Sequence, residues 1–308
     1  MNKPDFFIVG APKCGTTSLC KYLAQHPDVF ISKFKEPNQF SYDLIEKPTK
    51  PRRSIEEYLE FFDDADGRIC GEGSSLYLYS KIAAKEIYNF NPNAKIIIML
   101  RNPVDFLYSY HNQCVLELDE DIRDFKRAIE AENDRKQGKR IPKDCTRSSL
   151  LFYSEVAKFT EQIQRYFDVF GQERVQIIIF DDFIKDTANV YQKTLRFLGI
   201  EQQNTPTEFT RYRTTSQVKH MALFRAYKRT IRTIFRAGRV FKFLPFSSHV
   251  QMFLHKIFVK IHKKFMVKKA SRPPMDTELR QYLTKRFTSE VEQLSTLIGH
   301  DLTHWNRS

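Results

Sequence analysis

Four short apolar runs, separated by longer stretches with apolar residues three and four apart, set the framework of this chain. They are 6-FFIVG-10, a weaker 68-RICGEGS-74, 95-KIIIML-100 and 174-RVQIIIF-180. Runs of this length and β-rich content predict strands. Between them, 17-TSLCKYLAQ-25 and 155-EVAKFTEQIQRYFDVF-170 repeat apolar residues at helical spacing, each predicting a helix with one buried face, and Gly171 stands where a C-cap belongs. This alternation predicts an α/β fold, a central parallel sheet flanked by helices, as one domain over 1–308. The first strand feeds a glycine-bearing turn and then a helix, the context of a phosphate-binding loop.

The pattern changes in kind over 219–270. In 221-MALFRAYKRTIRTIF-235, Phe224, Tyr227, Ile231 and Phe235 share one helical face, with Arg225, Lys228, Arg229, Arg232 and Arg236 around it. A second such pattern runs through 250–265, with Phe253, Ile257, Phe258, Ile261 and Phe265 on its apolar side, and 244-LPFSS-248 breaks the two. The segment reads as a basic amphipathic helical insertion.

Charge sharpens that contrast. The net charge is +13, yet Phe209 to Met275 holds 17 Lys/Arg and no Asp or Glu, so the remainder of the chain is acidic by 4. The 41% apolar content is that of a globular protein. No run of about 18 apolar residues and no charged-then-apolar leader is present, so the expectation is a cytoplasmic protein. Cys14, Cys20, Cys70, Cys114 and Cys145 are odd in number and scattered, which predicts reduced thiols rather than a disulfide framework or zinc site.

The candidate chemistry lies in 10-GAPKCGTTSL-19. A Walker loop reads G-x-x-x-x-G-K-[ST]. Here Thr16 fills the lysine slot and Lys13 lies three residues earlier. Backbone N–H groups at a helix N-terminus hold anions because they lack intrahelical partners and sit at the positive end of the dipole. Gly10 and Gly15 allow close approach, and the hydroxyls of Thr16, Thr17 and Ser18 add donors.

On these residues the chain resembles the sulfotransferases that use PAPS (3′-phosphoadenosine 5′-phosphosulfate), whose loop reads PK-x-GTT-x-L. The resemblance implies that Lys13, Cys14, Gly15, Thr16, Thr17 and Ser18 bind the 5′-phosphosulfate, with Lys13 stabilising the bridging oxygen as the sulfuryl group leaves. A second signature of that family, R-[ND]-P-x-[DE]-x-x-x-S-x-Y, is similar to 101-RNPVDFLYSY-110, and implies that Arg101 and Ser109 hold the 3′-phosphate. A guanidinium suits that role because it donates two parallel bonds. Further likenesses are 33-KFKEPNQF-40, 71-GEGSSLYL-78, 180-FDDF-183, 195-LRFLGI-200 and 294-LSTLIGHDLTHW-305. They point to the bacterial and heparan-sulfate-type branch, and only 219–270 falls outside the match.

In that branch the base is the glutamate of the KEP segment, which maps onto Glu36; Glu72 is the alternative. Sulfuryl transfer is mostly alignment and charge stabilisation, with the acceptor hydroxyl or amine losing a proton to the base. No metal is expected. Gly73 stands where the heparan branch often has lysine, and Asn38 where it has histidine, so the expected acceptor is another carbohydrate, a glycolipid or a lipid-linked molecule, with PAP as product. Two alternatives stand beside this. A P-loop kinase or NTPase has 175-VQIIIFDD-182 in its favour and Thr16 against it, and Asp181 or Asp182 reads more simply as a helix cap. A membrane- or polyanion-binding protein would make the basic helices the functional part. We expect 219–270 to be a peripheral element at an anionic membrane surface, or a lid, that brings the acceptor to Lys13 and Glu36. No nucleic-acid-reading motif accompanies its charge.

Overall fold

The computed structural model describes residues 2–46, 51–143, 145–201, 209, 216–218, 267–269 and 273–307. The expectations for helices within 219–270 lie outside the described residues. The chain divides into two compact units, one of Met1–Tyr212 with Met275–Ser308 and one of Arg213–Pro274. In the second unit, strands Ser216–Val218 and Val267–Lys269 pair antiparallel.

The first unit is built on five parallel strands: β1 (Phe6–Gly10), β2 (Val29–Ile31), β3 (Ile69–Gly73), β4 (Lys95–Leu100) and β5 (Val175–Ile179), in the order β2-β3-β1-β4-β5. All residues of β1 and all but the first of β4 are buried, as the unbroken apolar runs require of strands covered on both faces. Four strands coincide with the four runs; β2 is too short and too weakly patterned to stand out. The helices that flank the sheet include α1 (Thr16–Leu23), α2 (Ile55–Leu59), α3 (Ala83–Phe90) and α4 (Pro103–Glu117). Asn102 caps α4, its Oδ1 accepting from the amides of Val104 and Asp105, and Pro103 takes the first position, where no amide donor is needed.

The helix expected over 155–170 is divided. Tyr153–Val156 forms one turn, the chain bends at Ala157 and Lys158, and a new helix runs Phe159–Phe170 to Gly171. The bend is held by Gln162 Nε2, which reaches back to the Val156 carbonyl at 3.1 Å and shares the Glu155 carbonyl, at 3.2 Å, with the amide of Lys158.

Behind α4 lies a buried ion pair. Arg135 donates through both terminal nitrogens to Glu120, at 2.7 Å each, with both side chains fully excluded from solvent. Glu120 also accepts from Tyr153 OH at 2.7 Å and from the amides of Asp121 and Ile122 at 2.8 Å, so the buried charge is fully satisfied.

Candidate active site

In the order β2-β3-β1-β4-β5, chain connections leave β1 and β4 toward opposite sides of the sheet, which opens a crevice at their C-terminal ends. The two loops singled out from sequence both start there. After β1, Gly15 adopts φ 94°, a left-handed conformation that starts α1, and Lys13 is also left-handed at φ 64°. The amides of Ser18 and Leu19 already bond to Gly15 O, at 2.8 and 3.1 Å. Those of Gly15, Thr16 and Thr17 have no acceptor among the described residues. The loop thus keeps the open donors that an anion requires.

Not every predicted loop residue faces outward. Cys14 is fully buried, its Sγ lies 3.4 Å from Pro12 O, and burial pushes its thiol up to about 12. It shapes the loop from beneath. Thr16 is buried, whereas Lys13, Thr17 and Ser18 are half-buried. The Thr17 hydroxyl accepts from Lys35 Nζ at 3.0 Å, and the same ammonium lies 3.5 Å from Glu36 Oε1.

Arg101 follows β4 directly. Because Leu100 pairs with Ile179, the next residue of each strand is a neighbour, and the Arg101 guanidinium lies over the Phe180 ring at 5.0 Å. Phe180 also backs the phosphate loop: a Cβ on Gly15 would come within 3.3 Å of its ring and 3.2 Å of Met99 Cε. One aromatic ring therefore joins the loop after β1 to the arginine after β4. Ser109 lies half-buried further along α4.

The two candidate bases differ sharply. Glu36 is half-buried, left-handed at φ 52°, and touched weakly by Ser75 Oγ at 3.4 Å. Asn38 is also left-handed, and its Nδ2 donates to Glu36 O at 2.9 Å. Among the described non-glycine residues with such backbones, half lie at Lys13, Glu36 and Asn38, so this conformation concentrates where the loops converge. Glu72, on β3, is fully buried and accepts from the hydroxyls of Ser74, Tyr58 and Tyr77. Burial raises its carboxyl to about 7, against the lowering pull of those three hydroxyls and of Arg53. It lies in the core.

Gly73 has a steric reason not to be lysine. A Cβ there would fall 2.6 Å from Cys20 Sγ on α1. Asp181 and Asp182 make no helix-capping bond. They sit in the first turn of the helix Phe180–Lys185, where Asp181 accepts from Trp305 Nε1 at 2.7 Å and Asp182 pairs with His300 at 3.6 Å, tying down the C-terminal residues. Asn102 Nδ2 donates to Trp305 O at 3.1 Å, so the same tryptophan braces the start of α4. Among the described residues no group of three His, Cys, Asp or Glu is placed to hold a metal, and no helix is long and apolar enough to cross a membrane. Ser74 and Tyr77 lie with Glu72 in the 71-GEGSSLYL-78 stretch, whereas Phe180 under Arg101 and Tyr58 beside Glu72 carry no signal in residue spacing and follow from the sheet register and long-range contacts.

Residues 3–272 match the family model described as "Sulfotransferase domain". The chain belongs to the sulfotransferase family. It is similar over its whole length to a solved sulfotransferase from Alicyclobacillus acidocaldarius, with 29% identity, complete coverage of both chains and a TM-score of 0.71. Among curated proteins it is 26% identical, over 99% of its own length, to human bifunctional heparan sulfate N-deacetylase/N-sulfotransferase 3, of which it spans 31%. It is 24% identical over 64% of its length to mouse carbohydrate sulfotransferase 15, of which it spans 44%. The chain thus spans less than half of the curated relatives it matches. The parallel sheet with flanking helices is the fold of its bacterial structural neighbour.

Proposed function

We propose that this sulfotransferase takes its sulfuryl group from PAPS and delivers it to a hydroxyl or amine of a carbohydrate or lipid-linked carbohydrate, releasing PAP. The observation that carries the reading is the Lys35 ammonium, which contacts Thr17 of the phosphate loop and Glu36 together and so places a carboxylate beside the open amides of Gly15, Thr16 and Thr17. The donor set suits an anion at two points, since loop amides with Lys13 form one and the Phe180-backed Arg101 with Ser109 forms the other. PAPS supplies an activated sulfuryl group. Lys13 opposes the charge that grows on the departing oxygen, and Glu36 accepts the proton of the attacking hydroxyl or amine. Beside Glu36, Phe34 is 50% exposed and stacks on Phe61 at 5.4 Å, offering an apolar face to an acceptor ring. The names of the relatives, a carbohydrate sulfotransferase and a heparan sulfate N-sulfotransferase, support a carbohydrate acceptor.

Calorimetric titration with PAP, and separately with ATP and magnesium, tests the reading. Tight PAP binding is expected, with ATP ignored. Arg101→Ala removes two charge-assisted bonds and is expected to weaken PAP roughly 100-fold. ATP binding in place of PAP refutes the proposal. We also propose a cytoplasmic, surface-associated role for 219–270, supported by the 14 Lys/Arg it holds without an acid. Flotation with anionic liposomes refutes that role if deletion of 219–270 leaves binding unchanged.

A further inference from the structure

We propose that Glu72 is a positioning residue that holds the loop bearing Glu36 in place through two hydroxyl relays, Ser74 and Tyr77. Each relay has the same construction. Ser74 Oγ donates to Glu72 Oε1 and accepts from the amide of Asn38 at 3.1 Å. Tyr77 OH donates to Glu72 Oε2 at 3.1 Å and accepts from the amide of Phe40 at 3.4 Å. Ionised, as it is above pH 7 where the assays are run, the Glu72 carboxylate only accepts, so it fixes the proton of each hydroxyl inward and leaves the oxygen lone pairs facing the loop amides. Two amides within four residues of Glu36 thereby gain oriented acceptors in a segment where Glu36 and Asn38 both hold left-handed backbone. Such backbone persists only where surrounding structure over-determines it. A glutamine at 72 would present an N–H₂ to one relay, turn its hydroxyl proton outward and set it against the loop amide.

The network carries its own control. Tyr58 OH donates to Glu72 Oε2 at 2.6 Å and is as deeply buried as Tyr77, yet it accepts from no group among the described residues. Tyr58→Phe therefore removes a hydroxyl from Glu72 without cutting a relay, whereas Tyr77→Phe and Ser74→Ala each cut one. This inference rests on Glu36 acting as the base, so Glu36→Gln is measured in parallel.

The experiment compares these four full-length variants with the native chain by hydrogen exchange of peptides spanning 34–41, by PAP titration, and by turnover of PAPS with a mixture of neutral oligosaccharides and glycolipids as acceptor probe. Exchange in 34–41 is expected to rise about tenfold in Ser74→Ala and Tyr77→Phe and to stay native in Tyr58→Phe, with PAP affinity unchanged in all three. Turnover is expected to fall on the order of 10- to 100-fold in the relay variants with KM for PAPS unchanged, the split of a misplaced base. Equal exchange and turnover in Tyr58→Phe and Tyr77→Phe would make Glu72 a core residue only and overturn the proposal. Native exchange in 34–41 in both relay variants overturns it whatever the probe reports. If Glu36→Gln abolishes turnover while the relay variants keep it, the base stands and the relay falls. Native turnover in Glu36→Gln removes the base and the relay with it.

Discussion

An alanine at Gly15 must adopt a backbone that glycine takes freely and must place a methyl group where two side chains already stand. Its φ of 94° lies in the left-handed region, which costs an L-residue about 1–2 kcal/mol. The new Cβ would meet Met99 Cε at 3.2 Å and the Phe180 ring at 3.3 Å. Met99 ends in a flexible methyl, but Phe180 is held between this loop and the Arg101 guanidinium, so crowding adds about 1–2 kcal/mol. Gly15→Ala is thus expected to lower stability by about 2–4 kcal/mol in total. Gly138 provides the reference, because it too is left-handed, at φ 77°, and nothing lies within 4 Å of a Cβ there. Gly138→Ala should show the backbone share alone. Urea unfolding with an unchanged slope measures both variants, and PAP titration follows the site, where displacement of Phe180 should weaken binding in Gly15→Ala only. Equal losses for the two alanines, or native PAP affinity in Gly15→Ala, would refute the account of Phe180 as the wall shared by the loop after β1 and Arg101.

Other outcomes follow from the same packing. Arg135→Met leaves Glu120 charged and buried without its bidentate partner and should cost about 3–5 kcal/mol, read by denaturant midpoint, whereas Arg135→Met with Glu120→Gln should recover part of that loss. Gly73→Lys should destabilise by about 1–3 kcal/mol through the clash with Cys20 Sγ, and Cys20→Ala should restore most of it, giving a coupling energy in a double-mutant cycle. Glu72, raised to about 7 by burial against a usual 4.5, binds its proton more tightly folded than unfolded, so its contribution to stability is complete below pH 4.5 and is lost as pH rises through 7. The fall amounts to about 3 kcal/mol, and Glu72→Gln should flatten stability against pH across that window.

The sequence by itself determined the parts whose causes are local. A strand, a left-handed glycine and a helix start within a few residues of one another make the anion loop, and Asn102-Pro103 after an apolar run places Arg101 between strand end and helix start. Those features depend on backbone preferences and on neighbours in the chain, so residue order carries them. Tertiary structure decided the roles that depend on distant partners. Glu36 and Glu72 lie in equally suggestive motifs, yet only the fold buries Glu72 among Tyr58, Ser74 and Tyr77 and leaves Glu36 beside Lys35 and Thr17. The pairing of Leu100 with Ile179 brings Phe180 under Arg101, although no spacing in the chain relates them. The bend at Ala157 interrupts a sound helical pattern, and Gln162 satisfies the Val156 carbonyl that it opens. Desolvation and long-range hydrogen bonding set these outcomes, and both exist only after the strands have met.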